Sequence, residues 1–432
     1  MARIVIAAVA TPGHVYPMLK VAQSLIAQGH QVTVFTGALF RQQIEALNAQ
    51  FVSFDEQVDF DYRHLEQHFP DRAQLPPGNV QMALAFKNFF SAPIPLLDHQ
   101  LRQIIREQQA ELLIAENCFY GILPLLQEEK THRIPVIVIG ITPLAYSSKD
   151  SIFWGPRIPP AVLPPELTHE QLVDETNQQL IAEVQDSFND ALIQSGSAAL
   201  TRPFNDEVIL SADRFLQLST LAFEYPREGL PDTVHFIGPL PNPAPTTEPP
   251  QLWEEDDPRP LVIVTQGTIS NTDLNQLILP TLRALATLPI RILATTGGRS
   301  VETLSRDLPE NARIEEFISF EHWLPKASLL ISNGGYGTIN YALSHGTPLL
   351  IADAGEGKQE AAFRVVWAGC GTNLDTAHPT ESQLKQTVEN MLSTDLFKQR
   401  AQIVQKDYAR HDALTAISHH VEQLILAQSR NN

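Results

Sequence analysis

Short buried-type runs, each closed by a turn and followed by helical spacing, recur along this chain and leave few architectures open. Ile4 to Val9 is apolar throughout, and Ala10-Thr11-Pro12-Gly13-His14 after it reads as a loop. Met18, Leu19, Ala22, Leu25 and Ile26 then recur at helical spacing, with Gly29 as the helix end. Gln31 to Phe35 starts a second strand. A strand, a helix and a strand in so short a span require a parallel pair joined by a right-handed crossover, the unit of an open α/β sheet. Glu111 to Asn117 and Pro135 to Thr142 add further strands.

The pattern stops at Pro239 and resumes after Pro260. Between them, PLPNPAPTTEPPQLWEEDDPRP is rich in proline and acid and has little to bury, the composition of a linker. Beyond it come LVIVTQGT, a helical stretch from about Asp273 to Leu288, RILATTGG, LLISNGG, a helix over Thr338 to Ser344, and PLLIADAG. At 432 residues the chain suits two or three domains. We read residues 1–238 and 261–405 as two Rossmann-like α/β halves, 239–260 as the linker, and 406–432 as a terminal segment. The amphipathic helix in that segment, Ala413 to Leu426, is free to pack on either half.

Charge narrows the range of partners. Acidic residues outnumber basic ones, 49 to 30, for a net charge of -19. Such a field repels phosphate backbones and anionic lipid, so neither nucleic acid nor a membrane surface is an expected partner. The two cysteines, Cys118 and Cys370, stand far apart without metal-ligand spacing, so neither a disulfide nor a metal site is expected. The apolar run near the start is short and leads directly into patterned sequence, so it reads as a strand and not a signal peptide. No run approaches membrane-span length. A cytoplasmic location is expected.

Ligands of open parallel sheets bind beyond the carboxyl ends of the strands. That rule selects Gly13-His14 and Glu116-Asn117-Cys118 in the first half. In the second it selects Gln266 to Thr268, Thr295 to Gly298, Asn333 to Thr338, and Asp353 to Gln359. The first loop, ATPGHVYP, lacks the three glycines of a dinucleotide fingerprint, and the second strand ends in Thr36-Gly37 with no acid for a ribose. A Walker loop is absent as well. The sequence LISNGGYGTI, however, places three glycines in four positions where a strand meets a helix. Free N–H groups and the positive helix end make such a bend a seat for an anion.

Four stretches in order along the chain carry a family resemblance: TPGHVYPML, VHFIGPL, PLVIVTQGT, and LLISNGGYGTINYALSHGTPLLIADAGEGKQEAAFRVVWAGCGTNL. Together they resemble the family 1 glycosyltransferases of GT-B fold, most closely the bacterial enzymes that decorate macrolides and other natural products. The resemblance covers nearly the whole chain. It implies two Rossmann-like domains facing each other across a cleft and an inverting transfer of a hexose. Glucose from a uridine diphosphate donor, to a hydroxyl of a hydrophobic small molecule, is the default.

By this resemblance His14 matches the catalytic base, which takes the acceptor's proton as the oxygen attacks the anomeric carbon. Glu116 matches the carboxylate that orients the imidazole, with a solvated strand-end acid as the alternative. Asn333, Gly334, Gly335, Gly337 and Thr338 match the loop that cradles the donor diphosphate, and Thr268 a second phosphate contact. Phe317 falls near the aromatic platform for the nucleobase, with Trp323 as a rival. Tyr341 stands where many relatives place a ribose-binding glutamate, and Asn333 where many place a histidine. The sugar-binding Asp-Gln of relatives is replaced by Gly357-Lys358, with Glu356 and Gln359 nearby as hydroxyl-binding candidates. No metal or other cofactor is expected, since the helix N-terminus takes the metal's role. Val80 to Leu97 and Pro143 to Pro165, apolar and aromatic, suit an acceptor pocket as well as core packing. The partners implied are a nucleotide sugar and a hydrophobic acceptor, with the protein a monomer or weak dimer. A 2-epimerase of the same fold and a non-catalytic nucleotide-sugar-binding protein are the competing readings.

Overall fold

The structure is a computed structural model that describes residues 1–431 apart from 76–77, 148–170, 172, 228, 242–249, 255, 269–270, 272, 302–307 and 353–357. The chain divides into two compact units, each built on its own sheet. Part of the proline-rich linker, 242–249 and 255, lies outside the described residues.

The first unit comprises Met1–Leu218, Pro226–Leu240 and Asp412–Asn432. Its strands are β1 (Arg3–Ala7), β2 (Gln31–Thr36), β3 (Gln50–Ser53), β4 (Leu112–Glu116), β5 (Val136–Gly140), β6 (Arg214–Gln217) and β7 (Val234–Phe236). They pair in the order β3-β2-β1-β4-β5-β6-β7, all parallel. The central strands are buried along their length, which is why they read as continuous apolar runs and not as alternation. Burying each Ile, Leu or Val of these strands contributes about 1.5–3 kcal/mol before chain entropy is set against it.

Helix Pro12–Ala27 follows β1 and starts earlier than the sequence suggested. We read Ala10 to His14 as loop; the structure puts Pro12 in the first turn of the helix, where proline's missing N–H costs nothing, and His14 in that same turn. The helix ends as expected, with Gly29 at φ 87° and bonds from Gly29 N to Ile26 O and from His30 N to Leu25 O. This is the pairing of a Schellman ending.

The second unit comprises Ser219–Tyr225 and Pro241–His411. Its strands are β8 (Leu261–Thr265), β9 (Arg291–Thr295), β10 (Ala312–Glu315), β11 (Ala327–Ser332), β12 (Leu349–Ile351) and β13 (Gly371–Asn373). They form a parallel sheet in the order β10-β9-β8-β11-β12-β13. The helix expected over Asp273 to Leu288 is shorter, Ile278–Leu285, and that expected over Thr338 to Ser344 is longer, Tyr336–Ser344.

Two segments lie elsewhere than their position in the chain suggests. Ser219–Tyr225, within the stretch read as the first half, belongs to the second unit. The last helix, Ala413–Asn431, returns to the first: Ala413, Ile417 and Val421 join its core, and Gln28 donates to Ser418 Oγ at 2.7 Å. Among the described residues no helix is long and apolar enough to cross a membrane.

Candidate active site

Two chemical centres sit at the carboxyl ends of the two sheets, one in each unit. In the first, β1 and β4 are neighbours, with Ala7 beside Ala115. Glu116 ends β4 and is fully buried. A carboxylate there needs donors. It receives the Val9 N–H at Oε1 (3.1 Å) and the Cys118 N–H at Oε2 (2.7 Å). His14 enters from the first helical turn, and its Nδ1 lies 3.1 Å from Glu116 Oε1. The distance is that of a hydrogen bond, but the ring N–H is turned off the line, so Nδ1 is buried without a well-directed partner. Asn117 fixes the same corner: its Oδ1 accepts from Ile141 N at 2.9 Å and its Nδ2 donates to Thr142 Oγ1 at 2.8 Å.

Cys118, for which the sequence showed no metal-ligand partners, joins this group. One donor-type atom each of His14, Glu116 and Cys118 lies within 4.8 Å of the others. Burial, and after it the Glu116 charge, pushes the Cys118 thiol well above its usual range. An apolar cavity opens beside the group, walled by Val9, Phe54, Phe60, Phe89, Phe90 and Cys118. The stretch Val80 to Leu97 divides its aromatics. Phe89 and Phe90 face the cavity from a π-helical turn, Phe86–Ser91, whereas Phe86 packs in the core against Phe188 and Phe204. Of Pro143 to Pro165, residues 148–165 lie outside the described residues.

The second centre lies where β8 and β11 run side by side, Thr265 next to Ser332. The Asn333 amide donates to Gln266 O at 2.6 Å, tying the glycine loop to the turn that carries Thr268, which is exposed. Gly334 has φ 81°, and a Cβ there would stand 2.9 Å from Ile351. Only glycine fits. Gly335 is the N-cap of helix Tyr336–Ser344 and has no side chain to cap it. Around Gly337 there is nothing within 4 Å of an added Cβ, and at Gly335 only Thr338 Oγ1 at 3.7 Å. Packing therefore explains the first glycine and leaves open space at the other two, beside an uncapped helix end.

Phe317 follows β10 and is 67% exposed, its ring against Gly298, where a Cβ would stand 2.7 Å away. Three strand spacings, about 14 Å, separate β10 from β11. Trp323, the rival, is buried and packs edge-on to Trp253 as core. Tyr341 meets Phe320 edge-on (6.5 Å) at the margin of the core. Gln359 opens helix Gln359–Trp367 next to Lys358, whose Cβ stands 3.7 Å from the Cβ position of Gly334. Glu356 lies outside the described residues.

Sequence reasoning missed Asn271. Its buried amide donates to Gly267 O (3.0 Å), Thr296 O (2.7 Å) and Gly297 O (3.2 Å), clamping the turns after β8 and β9, while Arg299 Nε reaches its Oδ1 at 3.2 Å. Nothing local marks an Asn as a clamp, because two of its three acceptors come from the turn after β9.

Residues 280–424 match the model of the erythromycin biosynthesis protein CIII-like C-terminal domain, and residues 4–139 that of the glycosyltransferase family 28 N-terminal domain. The 4'-demethylrebeccamycin synthase of Lentzea aerocolonigenes is 32% identical, covering 98% of this chain and 100% of its own. UDP-glycosyltransferase 2 of Phaeomoniella chlamydospora is 30% identical over 98% and 96%. Among solved structures, the calicheamicin glycosyltransferase CalG4 superposes with a TM-score of 0.75 at 18% identity, covering 98% of each chain.

Proposed function

The chain belongs to the GT-B, family 1-like glycosyltransferases, and from that premise we propose that it moves a hexose from a nucleoside-diphosphate sugar to a hydroxyl of an apolar natural product. The names of the two relatives support a uridine diphosphate donor and a natural-product acceptor; glucose is the default sugar.

One observation carries the reading: His14 Nδ1 stands 3.1 Å from a fully buried Glu116 carboxylate that is itself held by two backbone N–H groups. That carboxylate favours the tautomer with the proton on Nδ1 and leaves Nε2 to accept the acceptor's hydroxyl proton. As the proton moves to His14, the oxygen bonds to the anomeric carbon and the bond to the diphosphate breaks. Attack opposite the leaving group inverts that carbon. Charge growing on the departing diphosphate is stabilised by the uncapped N-terminus at Gly335 to Thr338 and by the Thr268 turn. No metal is assigned a part in the transfer. The apolar, aromatic surface at Phe89 and Phe90, beside the group around Glu116, supports an apolar acceptor.

The test is a matrix of nucleotide sugars against phenolic, macrolide and sterol acceptors, read by mass spectrometry. Product should form only with acceptor present, and His14→Ala should lower turnover by about 10²–10⁴ while donor binding persists. Conversion of the donor alone would favour an epimerase instead, and binding without turnover a non-catalytic protein.

A further inference from the structure

The group around Glu116 offers more than a base and its orienter. It combines an imidazole nitrogen, a carboxylate oxygen and a sulfur, with one such atom from each residue inside 4.8 Å. Two elements supply them: the first turn of helix Pro12–Ala27, and the end of β4 with the residues just after it. His14 Nδ1 is buried 3.1 Å from Glu116 Oε1 without a well-directed hydrogen bond, so both atoms can serve one ligand.

A mixed N, O and S set is the preference of a borderline-soft divalent cation and not of magnesium or calcium, which take oxygen alone. Zinc holds such donors at about 2.0–2.3 Å, which sets neighbouring donors roughly 3–4 Å apart. His14 and Glu116, at 3.1 Å, already have that spacing, and the thiol stands within 4.8 Å of both. The carboxylate carries the supporting bonds a metal ligand usually has, from the N–H groups of Val9 and Cys118. Cys118 also lines the apolar cavity with Phe54 and Phe89, and the low polarity on that side strengthens the attraction between an ion and its charged ligands.

We infer that His14, Glu116 and Cys118 form a zinc site that switches the enzyme off. On binding, Zn²⁺ displaces the Cys118 thiol proton to solvent, the imidazole proton of His14 shifts from Nδ1 to Nε2, and Nδ1 and Glu116 each give a lone pair, leaving a fourth position open. The ion then holds the atoms that orient the base, and transfer stops. The inhibition rests on the catalytic reading above; the binding does not.

Co²⁺, which takes the same ligands and is coloured, tests both parts on the full-length reduced protein. Titration should raise a thiolate-to-cobalt charge-transfer band that Zn²⁺ abolishes by displacement. The band should survive in Cys370→Ser and vanish in Cys118→Ser, with Co²⁺ affinity down at least tenfold, roughly the loss on removing a supporting group. His14→Gln, which keeps Glu116 and Cys118, should weaken Co²⁺ to a similar degree. In parallel, Zn²⁺ should inhibit sugar transfer over the concentration range in which it displaces Co²⁺. A folded wild-type protein with no charge-transfer band, or a band unaffected by Cys118→Ser, overturns the site. Displacement of Co²⁺ without loss of transfer keeps the site but overturns its role as a switch, and with it the assignment of His14 as base.

Discussion

Arg364 lies against Glu224 as a buried bidentate pair. Its Nε sits 2.8 and 3.0 Å from the two carboxylate oxygens, its Nη2 sits 2.8 Å from Oε1, and both side chains are about 1% exposed. The guanidinium also donates to Glu360 O at 2.8 Å and rests over the Tyr225 ring at 4.6 Å. This pair ties Ser219–Tyr225 to the second unit. Glu224→Ala leaves the buried guanidinium only the partly exposed Glu360 carboxylate, 3.0 Å from Nη1, so it should cost up to about 3–5 kcal/mol in urea unfolding. Glu224→Leu combined with Arg364→Met should recover most of that loss. A double variant no more stable than Glu224→Ala would show that the geometry, not the stranded charge, is at stake.

The glycine loop permits a paired experiment. Gly334→Ala must place a Cβ 2.9 Å from Ile351 at φ 81°, so its melting temperature should fall. Gly337→Ala meets no protein atom within 4 Å and lies in the first turn of a helix, where alanine is favoured by about 0.5–1 kcal/mol. It should fold at least as well as the parent and still bind donor nucleotide more weakly, by calorimetry. Unchanged donor affinity in a folded Gly337→Ala protein would remove the loop from the donor site.

Phe317 separates binding from stability in the same way. Exposed as it is, its loss should change stability by no more than about 0.5 kcal/mol. A stacked base would lose about 1–3 kcal/mol of affinity in Phe317→Ala, a drop of about 5- to 150-fold for the nucleoside diphosphate. Trp323→Ala should do the opposite, unfolding the unit by cavity formation.

The acid side of the stability profile follows from a histidine pair. The His235 ring on β7 and the His420 ring on the last helix lie 4.6 Å apart. Burial, then the His235, Arg214 and His419 charges, hold His420 down at about 4, against 6.5 unperturbed; burial and Arg214 lower His235 too. Between those pH values the unfolded chain binds protons that the folded protein refuses. Stability is therefore intact above pH 6.5 and drains away as pH falls toward 4. With the ring half exposed, we expect roughly 1 kcal/mol from it. Thermal melts between pH 7 and pH 4 should show that slope, and His420→Gln should flatten it.

What could be read from the chain alone was whatever repeats locally. Ile4 to Ala7 and Leu261 to Val264 announce central parallel strands because both faces are buried, and an unbroken apolar run closed by a turn suits that position. The glycines of Asn333 to Thr338 stood out because backbone conformation is a property of the residue itself. Tertiary structure alone decided that Glu116 receives two N–H groups, that Cys118 joins it and His14, and that Asn271 clamps two turns. It also decided that the last helix returns to the first unit while Ser219–Tyr225 joins the second. Each of these pairs groups far apart in the chain, and nothing in the residues near Glu116 or Ala413 records which distant strand will lie beside them. Periodicity encodes an element's kind and its buried face; the partner that covers it is chosen by the packing of the whole.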